Sequence, residues 1–466
     1  VIGPGQRCEH ALVDSVLNSR LADYEAKVRA RFAAIVPTLR QISAFQHEEG
    51  FAWRAQEFSR ERLGYDLPHH LLEDAWVTGL DMSTLHADCI FRSFSQCVAL
   101  ADQDQAAWRE YMPINAELIN QCGYHTVDIS PCADGRLQGA LPFVLRMAPN
   151  PDIFVKAYAG ALFDIETDVA DWTHRELERL SGGLPGCEDG NLLKIAIYHT
   201  CSSHPSTQGC AAHGSNDVAA IDAALSRLTE LRAALENTYG VGAAPDVLLI
   251  GIDTDTDAIR IHPPAADGSL SAARYLDSAA LYRDTLGMSA EDARRRIDSA
   301  VAACGDIPPG LAMLVTRLIE ANFSQIEYVI QHHAGRYAVV GHDENFICAG
   351  EPVTELQLRN MYYFAHLDTV EEGAADMDVG IKIFTGLNLR RGLAIPVLVH
   401  FCYDSRVPGS QARAVARCRR VQAAIAARYP ELASNGKIRC VLAVSDRFNI
   451  GEPVLLDDVC PEAAGH

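Results

Sequence analysis

The sequence predicts an α/β protein in three parts. An all-helical N-terminal domain precedes a parallel-sheet domain rich in metal-capable side chains, and a degenerate copy of that sheet follows at the C-terminus. Three observations predict this. Apolar residues recur at helical spacing through the first hundred residues, strand-like runs alternate with helices after about residue 105, and the last third repeats the element order of the middle third. The expected boundaries are 1–104, 105–354 and 355–466.

A chain of 466 residues has room for two to four domains. Its hydrophobic fraction of 48%, with no uninterrupted apolar run of membrane length, describes a soluble globular protein and no membrane partner. A net charge of −21 argues against nucleic acid as a partner. Val1 in place of an initiating Met points to a processed form of a longer chain. The 14 cysteines are scattered singly rather than crowded as in a small disulfide scaffold. Cys89, Cys348, Cys418 and Cys440 lie in apolar segments and read as buried free thiols.

From Glu9 to Leu39 the apolar positions Leu12, Val16, Leu21, Tyr24, Val28, Phe32 and Ile35 fall on one helical stripe. His69 and His70 follow Pro68 at a turn and read as surface histidines. Strands are expected at 125–130, 142–146, 193–198 and 246–252. Between the last two, Ser215, Asn216 and Asp217 cap a helix. Val218, Ile221, Leu225, Leu228 and Leu235 form its apolar stripe, and Gly240 ends it. Strand, helix and strand in this rhythm make a parallel βαβ unit.

The final third repeats the pattern. VDISPCADGR (127–136) aligns with IKIFTGLNLR (381–390), and KIAIYHTCSS (194–203) aligns with IPVLVHFCYD (395–404). A helix from Ser410 to Tyr429 and the strand KIRCVLAVSD follow, as their counterparts do in the middle third. In this alignment Cys132, Asp134 and Arg136 face Gly386, Asn388 and Arg390, whereas His199 and Cys201 face His400 and Cys402. Cys210, eleven residues beyond His199, faces Gln411. One half keeps the chemistry and the other reads as a scaffold.

The stretch YHTCSSHPSTQGCAAHG (198–214) holds His199, Cys201, His204, Cys210 and His213. Two arrangements fit it. Cys201, His204, Cys210 and His213 would make a closed structural zinc site with four ligands. Alternatively, Cys132 joins His199 and Cys210 in a catalytic site of three ligands and one open position. In a parallel sheet such sites form beyond the carboxyl ends of strands, where Cys132 and His199 both belong. Cys210 precedes a helix start, which favours a thiolate. Asp134 and Arg136 alternate with Cys132 along the CADGR turn. The carboxylate there can accept a hydrogen bond from metal-activated water or bind the metal, and the guanidinium would hold it in one orientation.

CADGR, YH with Cys210 eleven residues beyond its histidine, AAHGSND and DVLLIGIDTDTDAIRIH together resemble the carboxysomal shell carbonic anhydrases. These form the epsilon class, divergent relatives of the beta-class enzymes, and the resemblance spans nearly the whole chain. It implies a beta-carbonic-anhydrase-like parallel sheet, one Zn2+ per chain held by Cys132, His199 and Cys210, and catalysis by the Asp134–Arg136 dyad. The implied reaction is the reversible hydration of CO2 to bicarbonate, with the dyad orienting the attacking hydroxide and the CO2 passing to Rubisco inside the carboxysome. Shell proteins and Rubisco are the implied partners, and at least a homodimer is the implied assembly. Common beta-class enzymes space the second ligand pair as His-x-x-Cys, whereas ten residues intervene here. Cys201 then reads as packing, because Cys402 matches it in the half without a site. The alternative is a structural shell-associated protein that uses zinc only to hold its fold.

Other classes lack their signatures. No H-x-E with P-C-x-x-C marks a zinc deaminase, and no Gly-rich phosphate loop is present. DTDTD (253–257) lacks the glycine and glutamate of a calcium loop, having Ala258 and Pro264 there, and reads as a helix start or a site rim at a strand's end. His174, His262 and His400 read as core or surface histidines.

Overall fold

A computed structural model describes residues 9–73, 75–148, 150, 152–182, 191–339, 341–353, 356–367, 374–446 and 453–456. The N-terminal region is helical: α1 (Ser15–Ala44), α2 (Phe51–Arg62), α3 (His69–Glu73), α4 (Ala75–Thr78) and α5 (Met82–Arg109). Along α1 the buried apolar side chains are Leu17, Leu21, Tyr24, Val28, Phe32, Ile35, Leu39 and Ile42, steps of three and four that keep one face inward. Val16, expected on that stripe, is exposed instead. Among the described residues no helix is long and apolar enough to cross a membrane.

The chain forms two compact units, Val1–Ala22 with Trp108–Gly341, and Asp23–Ala107 with His342–His466. In the first, α6 (Ala116–Gln121), β1 (Tyr124–Pro131), β2 (Ile153–Val155), α7 (Ile165–Gly182), β3 (Asn191–Thr200), α8 (Asp217–Tyr239) and β4 (Asp246–Asp253) follow in order. Then come β5 (Ile259–His262), β6 (Leu276–Asp277), α9 (Ser278–Thr285), α10 (Ala290–Ala303) and α11 (Pro309–His332). The sheet runs β2-β1-β3-β4-β5-β6, parallel from β2 to β4 and antiparallel at β5 and β6.

Both faces of this sheet are covered, so β3 reads as an almost unbroken apolar run. Leu193, Ile195 and Ile197 point into a core shared with α11, whereas Ala196 and Tyr198 point to the opposite core beside α8. Lys194 is tolerated in this buried strand because Asp128, Asp168 and Ser130 surround its ammonium. Asn216 caps α8 by accepting from Ala219 N, as the sequence indicates.

The run at 142–146 is not a strand. Ala140–Val144 forms a π-helical turn, entered from Gly139 at φ 80°, with Leu145 N donating to Ala140 O at 2.8 Å. Its side chains are buried on every side, so the run carries no periodicity to separate helix from strand.

The second unit contains β7 (Phe346–Gly350), β8 (Tyr362–His366), α12 (Ala374–Leu387), β9 (Ile395–Tyr403), α13 (Ser410–Arg428), α14 (Pro430–Ser434), β10 (Ile438–Asp446) and β11 (Val454–Leu456). Its sheet order, β11-β10-β9-β7-β8, repeats the first sheet from β5 to β2 in reverse listing, with β11 antiparallel as β5 is. This corrects the alignment of 127–136 with 381–390. Residues 381–387 are helical, and Met377, Ile381 and Phe384 bury one helical face. The counterpart of β1 is β7. Pro131 faces Ile197, two residues before His199, and Gly350 faces His400, so Ala349 stands where Cys132 does and Glu351 where Asp134 does. The second sheet thus lacks the cysteine but keeps a carboxylate, contrary to the sequence alignment.

Two glycines separate these environments. A Cβ at Gly251 would lie 2.2 Å from the Tyr198 ring, whereas one at Gly386 meets nothing within 4 Å. Gly251→Ala should destabilise by about 1–3 kcal/mol through overpacking. Gly386→Ala should stabilise by about 0.5–1 kcal/mol, as expected inside a helix. Denaturant midpoints of the two variants check both signs.

Candidate metal centre

The site forms at the carboxyl ends of β1 and β3. Cys132 follows β1 directly, and its N–H donates to Ile197 O at 2.9 Å, continuing the parallel pairing. His199 lies inside β3, on the same face as Ile195 and Ile197 by strand alternation. Cys210 comes from the long loop after β3 and precedes the short 3-10 turn 211–213. The donor atoms of Cys132, His199 and Cys210 lie within 4.8 Å of one another, and all three residues are buried.

The donor set fits zinc. The two Sγ atoms are 3.8 Å apart, which is about the separation of two thiolates bound tetrahedrally at ~2.3 Å. Arg136 Nη2, which can only donate, lies 3.2 Å from His199 Nε2. Cys132 is held well above the usual thiol range by sharing its proton with Cys210 and by burial. Cys210 is held below it by the Cys132 hydrogen bond, against burial, with help from the N–H groups of Ala212 and His213. A divalent cation bound between the two sulfurs would displace their protons.

Asp134 N-caps the 3-10 turn 135–137, accepting from Arg136 N at 2.9 Å. The Arg136 side chain returns to the same carboxylate in a fork, Nε to Oδ1 at 2.8 Å and Nη2 to Oδ2 at 2.7 Å. Both residues are buried. Burial disfavours the charged guanidinium, but the Asp134 carboxylate outweighs that and holds it above its ordinary value. Asp134 Oδ2 lies 3.4 Å from His199 Nε2, so the ion pair flanks the ligand cluster.

The closed alternative does not assemble. Cys201 is fully buried and directs its thiol to Asp255 Oδ1 at 3.6 Å. His204 is exposed and contacts Ser203 Oγ. His213 is half-buried and reaches Gly160 O at 3.3 Å. DTDTD forms the turn between β4 and β5 at the site's rim. There Asp255 accepts from Ser203 N and Ser202 Oγ. His262 hydrogen-bonds Tyr198 Oη at 2.9 Å, and His400 bonds Ser445 Oγ at 2.7 Å and Glu351 O at 2.9 Å.

Sequence reading missed Gly160. Its N–H donates to Cys132 Sγ at 3.3 Å while its carbonyl faces His213, so it ties the two cysteine-bearing segments together. Its only signal is a glycine in a loop after a short strand, which many loops share. Gly160 sits at φ 69°, and a Cβ there would lie 2.6 Å from His213 Nε2. Gly160→Ala should therefore lower stability by about 1–3 kcal/mol. In the metal-stripped protein it should also speed alkylation of Cys132, measured by peptide mass mapping.

The same order of elements is matched by three family models. These are Carboxysome Shell Carbonic Anhydrase, N-terminal, over residues 10–101, the catalytic domain over residues 115–342, and the C-terminal domain over residues 343–457. A carboxysome shell carbonic anhydrase of Prochlorococcus marinus (strain MIT 9313) is 46% identical over 446 residues, covering 94% of this chain and 87% of the relative. That of Halothiobacillus neapolitanus (strain ATCC 23641 / c2) is 40% identical over 465 residues, covering 97% and 90%. That of Hydrogenovibrio crunogenus (strain DSM 25203 / XCL-2) is 37% identical over 451 residues, covering 94% and 84%. The likeness runs through the helical region and both sheets, and the chain belongs to the carboxysome shell carbonic anhydrase family.

Proposed function

We propose that this protein is a carbonic anhydrase that reversibly hydrates CO2 to bicarbonate, with one Zn2+ held by Cys132, His199 and Cys210 and with Asp134 and Arg136 as its catalytic pair. The observation that carries the reading is the convergence of two thiol sulfurs 3.8 Å apart and an imidazole beside a buried carboxylate–guanidinium fork. The names of the relatives support the activity and a place in the carboxysome. By the same reading the protein works alongside shell proteins, supplies CO2 to Rubisco and assembles at least as a homodimer.

When bound, Zn2+ supplies the Lewis acidity that makes water a nucleophile near neutral pH. The protein's own part is positioning. Asp134, oriented by the Arg136 fork, presents an acceptor beside His199 that can take a hydrogen bond or proton from the attacking water. Arg136 also keeps that carboxylate from swinging toward the metal. The walls around the cluster exclude bulk water, because Leu137, Leu141 and Ile197 pack in the same core as the cysteines. Two thiolates neutralise the charge of Zn2+, so water is acidified less than by a centre with three neutral histidines. Hydration activity should therefore climb through mildly alkaline pH.

A site that served only the fold would be expected to close with four ligands; this group has three, with an ion pair at its side. Proton release during CO2 hydration, with and without a chelator, tests the activity: a chelator should abolish it and added zinc restore it. Elemental analysis should give one zinc per chain, lost in Cys132→Ser and kept in Cys201→Ser. Two tightly held zinc ions, or full occupancy without Cys132, would overturn the ligand set.

Arg136→Ala leaves a buried carboxylate without its partner and should lower stability by about 3–5 kcal/mol. The folded, zinc-loaded fraction should lose activity by roughly a hundredfold or more, the scale of removing an electrostatic catalytic contact. Near-normal turnover with full zinc would reduce Arg136 to a structural brace.

A further inference from the structure

We propose that Thr254 is a positioning residue that sets the angle of the Arg136 guanidinium, and through it the Asp134 carboxylate, at the metal centre. The inference rests on the catalytic reading of the Asp134–Arg136 pair and adds the group that aims it.

Thr254 is fully buried in the turn after β4. Its hydroxyl donates to Thr200 O at 2.9 Å, and its own N–H donates to the same carbonyl at 2.8 Å. With its proton committed to Thr200, the hydroxyl faces Arg136 as an acceptor, receiving Nη1 at 3.4 Å. Arg136 Nη1 also donates to Gln208 O at 2.6 Å. The guanidinium is thus gripped on one edge by Asp134 and on the other by groups that include one on the loop that carries Cys210 and one on the β4 turn. Because Thr200 directly follows His199, the same hydroxyl ties the arginine to the strand that bears the imidazole ligand.

The second sheet supplies an internal comparison. Thr200 faces Asp253, one residue before Thr254, and Phe401 faces Val444, one residue before Ser445. Ser445 therefore occupies the register of Thr254, and its hydroxyl bonds His400 Nε2 directly at 2.7 Å. In the first sheet the matching hydroxyl turns away from the histidine, and His199 Nε2 faces Arg136 instead. Hydroxyls at one register thus serve two purposes: they occupy the histidine in the half without a ligand cluster and steer the arginine in the half that has one.

The test compares Thr254→Val, which keeps the shape and removes the hydroxyl, with Thr254→Ser, which restores it. Zinc content, thermal midpoint, the pH profile of CO2 hydration and the visible spectrum of the cobalt(II)-substituted protein are measured for each. Thr254→Val should keep full zinc and lose kcat by about tenfold, the scale of one hydrogen bond to a charged group, since Gln208 O still holds Nη1. Its activity should rise only at higher pH, and its cobalt spectrum should differ from the parent's at matched pH, as a freed carboxylate would produce. Thr254→Ser should restore all three. Loss of zinc or of the fold in Thr254→Val, or parental kinetics and spectrum with full zinc, overturns the role. Those results leave the broader reading to stand or fall with Arg136→Ala: an active Arg136→Ala protein defeats the catalytic dyad whatever Thr254 does.

Discussion

The parallel pairing of β1 with β3 sets the position of everything at the site. Pro131 faces Ile197, and the N–H of Cys132 continues the ladder to the Ile197 carbonyl, so the residue that leaves β1 emerges beside the end of β3, where His199 lies. A register slip of one residue would turn the Cys132 side chain to the opposite face of the sheet. Filled cores on both faces fix that register. Val127, Ile129, Ile195 and Ile197 are committed to one of them and Ala196 and Tyr198 to the other.

Two buried charged sets in this interior are answered by partners of opposite sign. Arg136 and Asp134 satisfy each other through a two-pronged fork, and the remaining guanidinium nitrogen reaches Gln208 and Thr254. On the other face of the sheet, Lys194 is enclosed by Asp128, Asp168 and Ser130. Removing one member of such a set leaves an uncompensated buried charge, which costs far more than the intact set contributes. The cysteine pair follows the same logic, since the hydrogen bond between the two buried sulfurs raises the Cys132 thiol and lowers the Cys210 thiol.

The two sheets show how one topology carries a cysteine–histidine ligand cluster in one place and, among the described residues, no counterpart at the same register in the other. Strand order and the sense of every pairing from β1 to β5 recur from β7 to β11. At the register of Cys132 the second sheet has Ala349, and at that of His199 it has His400, whose two ring nitrogens are taken by Glu351 O and Ser445 Oγ. A histidine in the same place is therefore a ligand candidate in one half and a hydrogen-bonded core residue in the other. The neighbours of the ring and the loop that follows the strand make the difference, since Cys210 comes from the long segment between β3 and α8 and only six residues join β9 to α13.

The sequence alone determined the helical start, the parallel βαβ units and the spacing of the candidate residues, because these follow from local periodicity and caps. The stripe from Leu21 to Ile35 and the Asn216 cap needed no partner to be recognised. It could not decide the run at 142–146 or the segment at 381–387. The first is buried on every side and has lost its periodicity, and the second was misread because its apolar pattern was matched to a strand. Cys132, His199 and Cys210 were legible as metal-capable residues, yet only the tertiary structure shows their donor atoms within 4.8 Å, since 66 residues separate Cys132 from His199 along the chain. Gly160, Gln208 and Thr254 were not legible as partners of Cys132 and Arg136. They act through a backbone N–H, a carbonyl and a hydroxyl, groups that many loops possess and that acquire a role only when folding brings them against those two residues.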